Sequence, residues 1–181
     1  MFAGFGGQGI LLSAKILAHA AMEEGYEVAW TPSYGPEMRG GTAYCTVVIS
    51  DRPIGSPIIR NPMYLVAMNR PSLEKFALQV KPGGVILINR SLIPIGSGRD
   101  DVDELIVPAT DIAKRIGNVR AANIVALAAF VFRTKIVDFD CMRDCVKGEF
   151  LKKEKLLPLN MKAVEEGRKI AQDLKDEVIR S

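Results

Sequence analysis

A glycine-rich turn close to the first residue, Gly4-Phe5-Gly6-Gly7-Gln8-Gly9, constrains the fold more than any other segment of the sequence. Glycine adopts positive φ angles without steric cost and lets another backbone or a ligand approach closely. The residues that follow predict a helix, because apolar side chains recur on one helical face at Ile10, Ala14, Leu17, Ala18 and Ala21. A helix N-terminus offers N–H donors and the positive end of the helix dipole, so the turn predicts an anion-binding site.

The segments on either side of this helix predict a strand–turn–helix–strand unit. Only Met1-Phe2-Ala3 precede the turn, so the first strand looks shortened against the usual length of about five residues. Gly25 stands where a helix-ending glycine belongs, and Tyr26 to Thr31 reads as the second strand. Such a crossover is typical of a parallel sheet.

Gly4, Gly6 and Gly9 also match the G-x-G-x-x-G spacing of dinucleotide-binding turns. A nicotinamide site needs an acidic residue at the end of the second strand to hold the ribose. Here that strand ends in Trp30-Thr31-Pro32, and Glu27 lies near its start. A free-standing Rossmann-type oxidoreductase that binds NAD or flavin is therefore the alternative hypothesis rather than the preferred one.

The loop over residues 32–41, Pro-Ser-Tyr-Gly-Pro-Glu-Met-Arg-Gly-Gly, carries more specific side chains than a simple turn requires. Its Arg39 has a planar fork suited to carboxylate or phosphate. One interpretation is an ion pair between Glu37 and Arg39 that orders the loop. The other is a functional site, because loops after strand ends are where α/β proteins place their binding residues.

The rest of the chain alternates apolar strands with helices and ends in helices only. Strands are predicted at 42–50, 64–68, 85–89 and 105–107, and helices after Asn69, after Pro108 and over 118–132, 138–150 and from Asn160 onward. Thr110 or Asp111 is the expected N-cap of one helix, and Asn160 of the last. The pattern predicts an α/β fold, a three-layer Rossmann-like domain over residues 1–181 with a mostly parallel sheet and a helical C-terminal third.

Composition excludes several classes of function. A formal charge of +3 gives no basic face for nucleic acid. The longest apolar run, residues 121–132, is shorter than the roughly 20 residues that cross a bilayer. With three cysteines and no secretory signal in the sequence, we expect a cytoplasmic protein with reduced thiols.

No catalytic residue and no metal ligand is predicted. His19 is the only histidine and falls on the polar stripe of the first helix. The carboxylates within 100–104 lack the spacing of a calcium loop and are expected in a solvated loop. Cys141 and Cys145 are spaced i, i+4, unlike the C-x₂-C of zinc or iron–sulfur sites, and Cys45 reads as a small buried hydrophobe.

Several motifs together resemble the gamma subunit of the 2-oxoacid:ferredoxin (or flavodoxin) oxidoreductases, most closely the 2-oxoglutarate type. They are Gly-Phe-Gly-Gly-Gln-Gly at 4–9, Tyr-Gly-Pro-Glu-Met-Arg-Gly-Gly at 34–41, Leu-Val-Ala-Met at 65–68, Val-Pro-Ala-Thr at 107–110, and asparagines at 89, 123 and 160. The resemblance covers nearly the whole chain. Pro62-Met63 departs from it, because many members carry an acidic residue after that proline.

The resemblance implies a subunit rather than a complete enzyme. The complex decarboxylates a 2-oxoacid oxidatively to an acyl-CoA with thiamine diphosphate, and electrons leave through [4Fe-4S] clusters to ferredoxin or flavodoxin. The expected partners are the alpha and beta subunits and a ferredoxin-like delta subunit, without nucleic acid or membrane. No cofactor is expected on this chain alone, and the isolated chain is expected to be inactive and to self-associate.

Within that family, the residues expected to contact coenzyme A or another subunit are Gly6, Gly7, Gln8, Gly9 and Arg39.

Overall fold

The computed structural model describes residues 1–33 and 42–180, which form one six-stranded sheet with helices on its two faces. The strands are β1 (Phe2–Phe5), β2 (Glu27–Ser33), β3 (Thr42–Ser50), β4 (Tyr64–Ala67), β5 (Val85–Asn89) and β6 (Asp103–Val107). The helices are α1 (Ile10–Glu23), α2 (Arg70–Phe76), α3 (Ala109–Ile116), α4 (Ala122–Thr134), α5 (Phe139–Phe150) and α6 (Leu157–Arg180). Short 3₁₀ turns, Ala77–Gln79 and Val119–Ala121, follow α2 and precede α4.

The strand order is β2-β3-β1-β4-β5-β6. β1, β4, β5 and β6 pair in parallel, whereas β3 runs antiparallel to both of its neighbours, β1 and β2. Five of the six strands therefore point the same way, which confirms the α/β fold with a mostly parallel sheet.

The predicted crossover unit is present, with β2 parallel to β1 in the same sheet, but β2 does not lie beside β1. β3 returns from β2 as an antiparallel neighbour and takes the place next to β1, with Phe2 opposite Cys45 and Phe5 opposite Thr42. Two antiparallel strands can be joined by a short connection, and such a local pairing forms more readily than a distant one. β3 therefore lies between β1 and β2 in the sheet.

The core lies mainly on one face of the sheet. There α1, α3, α4, α5 and α6 pack over Phe2, Val66, Leu87 and Val107. Ten consecutive residues of α4, from Ala122 to Val131, are buried, as expected for a helix that is apolar all round. The other face is covered by α2 and its 3₁₀ turn, which pack over Ala3, Leu65, Ala67, Ile86 and Ile88.

The helix starts correct the predicted caps and show one that was not predicted. Asp138 caps α5 by accepting from the N–H of Cys141 at 2.9 Å. Thr110 lies inside the first turn of α3 rather than at its cap, and its hydroxyl accepts from the Asn89 amide at 2.9 Å. Asn160 lies inside α6, where its buried amide donates to the Leu156 carbonyl at 2.9 Å.

The helix predicted over 118–132 is divided in the structure into the 3₁₀ turn Val119–Ala121 and α4. Asn118 caps the turn by accepting from the Arg120 N–H at 3.2 Å. Within residues 1–33 and 42–180, no helix combines the length and apolarity that crossing a bilayer demands.

The contact between α4 and α6 depends on Gly167. A Cβ built there would lie 2.4 Å from the Val125 carbonyl oxygen, whereas one at Gly148 in α5 would meet nothing within 4 Å. We expect Gly167→Ala to lower the free energy of unfolding by about 1–3 kcal/mol, because the helices must separate. Gly148→Ala should raise it by up to about 1 kcal/mol through helix propensity. Urea unfolding of both variants measures this, and equal stabilisation by both would contradict the close helix approach.

Candidate functional site

The glycine turn connects the end of β1 to the start of α1 at the carboxyl edge of the parallel strands. The Gln8 N–H closes the turn on the Phe5 carbonyl at 3.2 Å. Gly7 and Gly9 have φ angles of 89° and 74°, in the left-handed region that side chains rarely adopt. Gly6 and Gly7 are exposed, so the outer part of the turn faces solvent. This edge is where open α/β sheets bind ligands.

The side chain of Gln8 points inward and holds the turn to the sheet. Its Oε1 accepts from the Phe5 N–H at 2.6 Å and from the Asn69 amide at 3.4 Å. Its Nε2 donates to the Met68 carbonyl at 3.2 Å. A Cβ at Gly4 would lie 2.6 Å from the Gln8 Oε1, so that glycine makes room for the amide. Because its side chain is bonded to the protein, Gln8 can contact a ligand mainly through its backbone.

The α1 and α4 helices meet at Gly9. The Asn123 amide donates to the Gly9 carbonyl at 3.1 Å, and the Ser13 hydroxyl donates to the Asn123 carbonyl at 3.1 Å. A Cβ at Gly9 would lie 2.4 Å from the Asn123 Nδ2. Gly9 is therefore required twice, for its φ angle and for this close contact.

A third amide, Asn89 at the end of β5, continues the network along the same edge. It is fully buried, and its Nδ2 donates to the Met68 carbonyl at 3.3 Å and to the Thr110 hydroxyl at 2.9 Å. Its Oδ1 accepts from the Thr110 N–H at 3.3 Å. Asn69 caps α2 by accepting from the Ser72 N–H at 2.9 Å. Sequence reasoning missed the link between these amides, although asparagine at or just after a strand end was visible.

The N-terminus of α1 keeps its capacity to bind an anion. The first N–H groups of a helix have no partner within the helix. In the part of the chain that the structure describes, no side chain caps α1, and its first turn holds no acidic residue. Backbone donors and the helix dipole can therefore act on a phosphate or carboxylate at this edge.

Arg39 and the rest of residues 34–41 lie outside the described residues. The strands that flank them are described. β2 ends at Ser33, and β3 begins at Thr42, directly opposite Phe5 at the end of β1. Thr42 is thus paired with the residue that precedes Gly6, so the described residues that flank the segment, Ser33 and Thr42, lie at the same edge of the sheet as the glycine turn.

The sheet order weakens the dinucleotide hypothesis. A dinucleotide fold holds the ribose with an acid at the end of the strand beside β1. Here the neighbours of β1 are β3, which is antiparallel, and β4, which ends at Ala67. Glu27 is exposed at the far start of the edge strand β2.

Titratable groups also come together in two other places. Asp101 and Asp103 accept from Arg99 and Arg133 at 2.6 and 2.7 Å, and the Arg99 hydrogen bond lowers the pKa of Asp101. His19, Cys141 and Cys145 line a cleft between α1 and α5, where burial raises the pKa of Cys145 to about 11. Over residues 1–33 and 42–180, no three His, Cys, Asp or Glu side chains are placed to hold a metal ion.

Comparison with known proteins gives consistent similarities. The profile of the pyruvate ferredoxin/flavodoxin oxidoreductase family matches residues 1–170. Ketoisovalerate oxidoreductase subunit VorA of Methanothermobacter thermautotrophicus is 42% identical over 172 residues, which are 94% of this chain and 36% of VorA. The 2-oxoglutarate synthase subunit KorC of Methanocaldococcus jannaschii is 37% identical, over 94% of this chain and 92% of KorC. The chain thus spans about a third of VorA and nearly all of KorC.

Solved structures agree with these relatives. The gamma subunit of a keto/oxoacid ferredoxin oxidoreductase from Geobacter sulfurreducens superposes with a TM-score of 0.81 at 31% identity, covering 95% of this chain and 96% of that one. The 2-oxoglutarate:ferredoxin oxidoreductase from Magnetococcus marinus, with 2-oxoglutarate, coenzyme A and succinyl-CoA bound, shares the fold. Its TM-score is 0.86 at 24% identity, over 95% of this chain and 30% of that one.

The contact between Gly9 and Asn123 can be tested against Gly7, where an added Cβ meets nothing within 4 Å. Gly7→Ala should cost about 1–2 kcal/mol of stability for the left-handed backbone alone. Gly9→Ala should cost about 1 kcal/mol more, because Asn123 must give up its hydrogen bond. Urea unfolding gives both values. In an Asn123→Ala background the two costs should converge, and a difference that persists would show that the amide is not responsible.

Proposed function

Because this chain belongs to the pyruvate ferredoxin/flavodoxin oxidoreductase family, we propose that it is the gamma subunit of a thiamine diphosphate-dependent 2-oxoacid:ferredoxin oxidoreductase. The complex would convert a 2-oxoacid to an acyl-CoA by oxidative decarboxylation and pass electrons to ferredoxin or flavodoxin. The observation that carries this proposal is the end-to-end match to a gamma subunit of such an enzyme.

The proposal divides the chemistry between subunits. Thiamine diphosphate and [4Fe-4S] clusters would be held by the alpha, beta and delta subunits, while this chain supplies a rigid edge that positions coenzyme A or a partner surface. The amides of Gln8, Asn89 and Asn123 support a positioning role, since their hydrogen bonds go to the protein's own backbone and side chains.

We propose 2-oxoglutarate or a branched-chain 2-oxoacid as the substrate, ahead of pyruvate. The motif at residues 34–41 resembles the 2-oxoglutarate type and some branched-chain members. Identity is 42% to the ketoisovalerate relative and 37% to the 2-oxoglutarate relative, against 32% to pyruvate synthase subunit PorC of Methanothermobacter thermautotrophicus.

We further propose that the turn Gly6-Gly7-Gln8-Gly9 and Arg39 together hold a phosphate of coenzyme A. The uncapped start of α1 provides backbone donors, and Thr42, three residues after Arg39 in the sequence, lies at the same edge. A guanidinium and a helix N-terminus both favour a phosphate at one position. A partner carboxylate could occupy the same donors, and the Arg39 experiment below distinguishes the two.

The complex itself is tested by isolating the tagged chain from its own host under native conditions. We expect larger, iron–sulfur-coloured subunits to co-elute. The eluate should reduce a viologen dye in a reaction that requires thiamine diphosphate, coenzyme A and one 2-oxoacid. Parallel assays with 2-oxoglutarate, 2-oxoisovalerate and pyruvate identify the acid. A chain that elutes alone, without activity and with a nucleotide bound, would contradict the subunit proposal.

The coenzyme A contact is tested in the assembled enzyme with Arg39→Ala. The KM for coenzyme A should rise about tenfold or more, because a charge-assisted hydrogen bond is lost. Arg52→Ala is the matched control, since Arg52 is exposed and pairs with Asp51 in the turn after β3, at the other end of the sheet. An unchanged KM with intact assembly would exclude the coenzyme A contact, whereas loss of assembly would indicate a subunit interface.

A further inference from the structure

The helices α1 and α5 lie side by side and run in opposite directions. Lys15, near the start of α1, donates to Glu149, near the end of α5, at 3.0 Å. At the other end of the pair, Glu24 accepts from the Asp138 N–H at 2.7 Å. These two contacts fix which part of α1 lies beside which part of α5.

The exposed side of this helix pair, the α1–α5 surface, has an acidic end and a basic end. The acidic end carries the exposed residues Glu23, Glu24, Asp138, Asp140 and Asp144. The basic end carries the exposed residues Lys15, Lys147, Lys152, Lys153 and Lys155. Arg143 in the acidic end, and Glu149 and Glu154 in the basic end, offset these charges in part and reverse neither sign.

Contacts within the chain use only some of these charges. The dipole of α5 favours an acid in its first turn and a base in its last, which accounts in part for Asp140 and Lys147. The side chain of Asp144 is 71% exposed and lies 3.7 Å from the Arg143 guanidinium, near the outer limit of an ion pair. Within residues 1–33 and 42–180, Glu23 and Lys147 form no ion pair. These groups are therefore available to a partner.

Both helices change sign at the same level along the surface. On α1 the change lies between Lys15 and Glu23, with His19 midway, and on α5 it lies between Asp144 and Lys147. The two contacts that join the helices place His19 level with residues at about 143–145, since both helices advance by the same rise per residue. A single two-fold axis across the surface at this level therefore exchanges the acidic end and the basic end.

Gly148 indicates that something outside the chain packs on α5. It is exposed and lies inside the helix, where glycine is a poor helix former. A Cβ built at Gly148 meets nothing within 4 Å, so packing among the described residues does not require a glycine there. Gly148 borders a cleft of about 540 Å³ between α1 and α5, which His19 and Cys145 also line. A helix can lie closely over this cleft only where the side chain at position 148 is small.

We propose that the α1–α5 surface binds a second copy of this chain in a two-fold symmetric dimer. The axis crosses both helices near His19 and Cys145, so α1 packs antiparallel to α1 of the other copy, and α5 packs antiparallel to α5. Asp144 of each copy then faces Lys147 of the other, and the contact occurs twice. An axis parallel to the helices is disfavoured, because it brings like charges together.

The same arrangement matches the other exposed groups of the surface. Glu23 of one copy faces Lys15 of the other, again twice. Met22, 59% exposed, lies at the acidic end, and Leu151, 60% exposed, lies at the basic end. Reversal of the second copy brings Leu151 to the end that carries Met22, so two large apolar side chains lose exposure at each end of the dimer.

Charge reversal tests the central contact, with sedimentation equilibrium of the full chain measuring the Kd of the dimer. Lys147→Glu and Asp144→Lys should each raise this Kd about tenfold or more, because two ion pairs become two contacts between like charges. The variant that carries both changes should dimerise with the Kd of the unchanged chain, since each pair is restored with its signs exchanged.

Arg70→Glu and Glu74→Lys are the matched controls. They change the net charge by the same amounts at an exposed ion pair in α2, on the opposite face of the sheet. Neither should change the Kd of the dimer by more than about twofold. An effect as large as that of Lys147→Glu would show that net charge alone is responsible and would overturn the assigned contact.

Gly148→Leu separates dimerisation from folding. The position is open within the chain and leucine favours a helix, so the Tm of the dissociated chain should not fall. The dimer should be lost, because the larger side chain holds the second copy away from the cleft. A dimer that persists with an unchanged Kd would contradict the close approach.

Three further results would overturn the proposal. An unchanged chain that sediments as a monomer up to millimolar concentration would show that the surface does not bind a second copy. A folded double variant that stays monomeric would show that Asp144 and Lys147 do not face each other. Binding of a different subunit that Lys147→Glu abolishes, while the chain alone is monomeric, would assign the surface to that subunit.

Discussion

The hydrogen bond from the Asn123 amide to the Gly9 carbonyl joins the two helices on which the rest of the structure depends. It brings the starts of α1 and α4 together at 3.1 Å between donor and acceptor. The Ser13 hydroxyl completes the contact by donating to the Asn123 carbonyl. Since α4 is buried along most of its length, its position determines how the sheet packs against α5 and α6. A glycine at position 9 is the condition for this approach.

The carboxyl edge separates scaffold groups from groups that can meet a ligand. Burying an amide is costly unless its hydrogen bonds are made, and Gln8, Asn69, Asn89 and Asn123 all make them to neighbouring backbone or side chains. The exposed glycines Gly6 and Gly7 remain available to solvent. A rigid edge with backbone donors suits the recognition of a phosphate or a carboxylate without a catalytic side chain.

The two ends of the sheet therefore differ in chemistry. The carboxyl end carries the glycine turn together with Ser33 and Thr42, the residues that flank 34–41. The proposed coenzyme A or subunit contact is assigned to this end. The amino end carries an apolar cavity of about 420 Å³ lined in part by Leu17, Val47 and Phe130. The functional proposal rests on the more polar carboxyl edge.

The sequence by itself determined the elements and the motifs. Apolar periodicity placed α1, α4 and α5 and the strands β4 and β5 within a few residues, because these segments are buried in a pattern that local spacing records. The positive φ angles at Gly7 and Gly9 were foreseeable for the same local reason, since glycine is the residue that tolerates them. The family resemblance likewise followed from short motifs.

Tertiary structure alone decided strand order and the partners of the buried amides. That β3 displaces β2 from the side of β1 depends on pairing between segments some 40 residues apart, which no local pattern encodes. Thr110 and Asn160 were expected as caps. Instead, the Thr110 hydroxyl accepts from Asn89, and the Asn160 amide donates to the carbonyl of Leu156, the residue just before α6. An amide or hydroxyl can satisfy its hydrogen bonds in several ways, and the choice among them is made by whichever backbone groups the packed fold leaves without a partner.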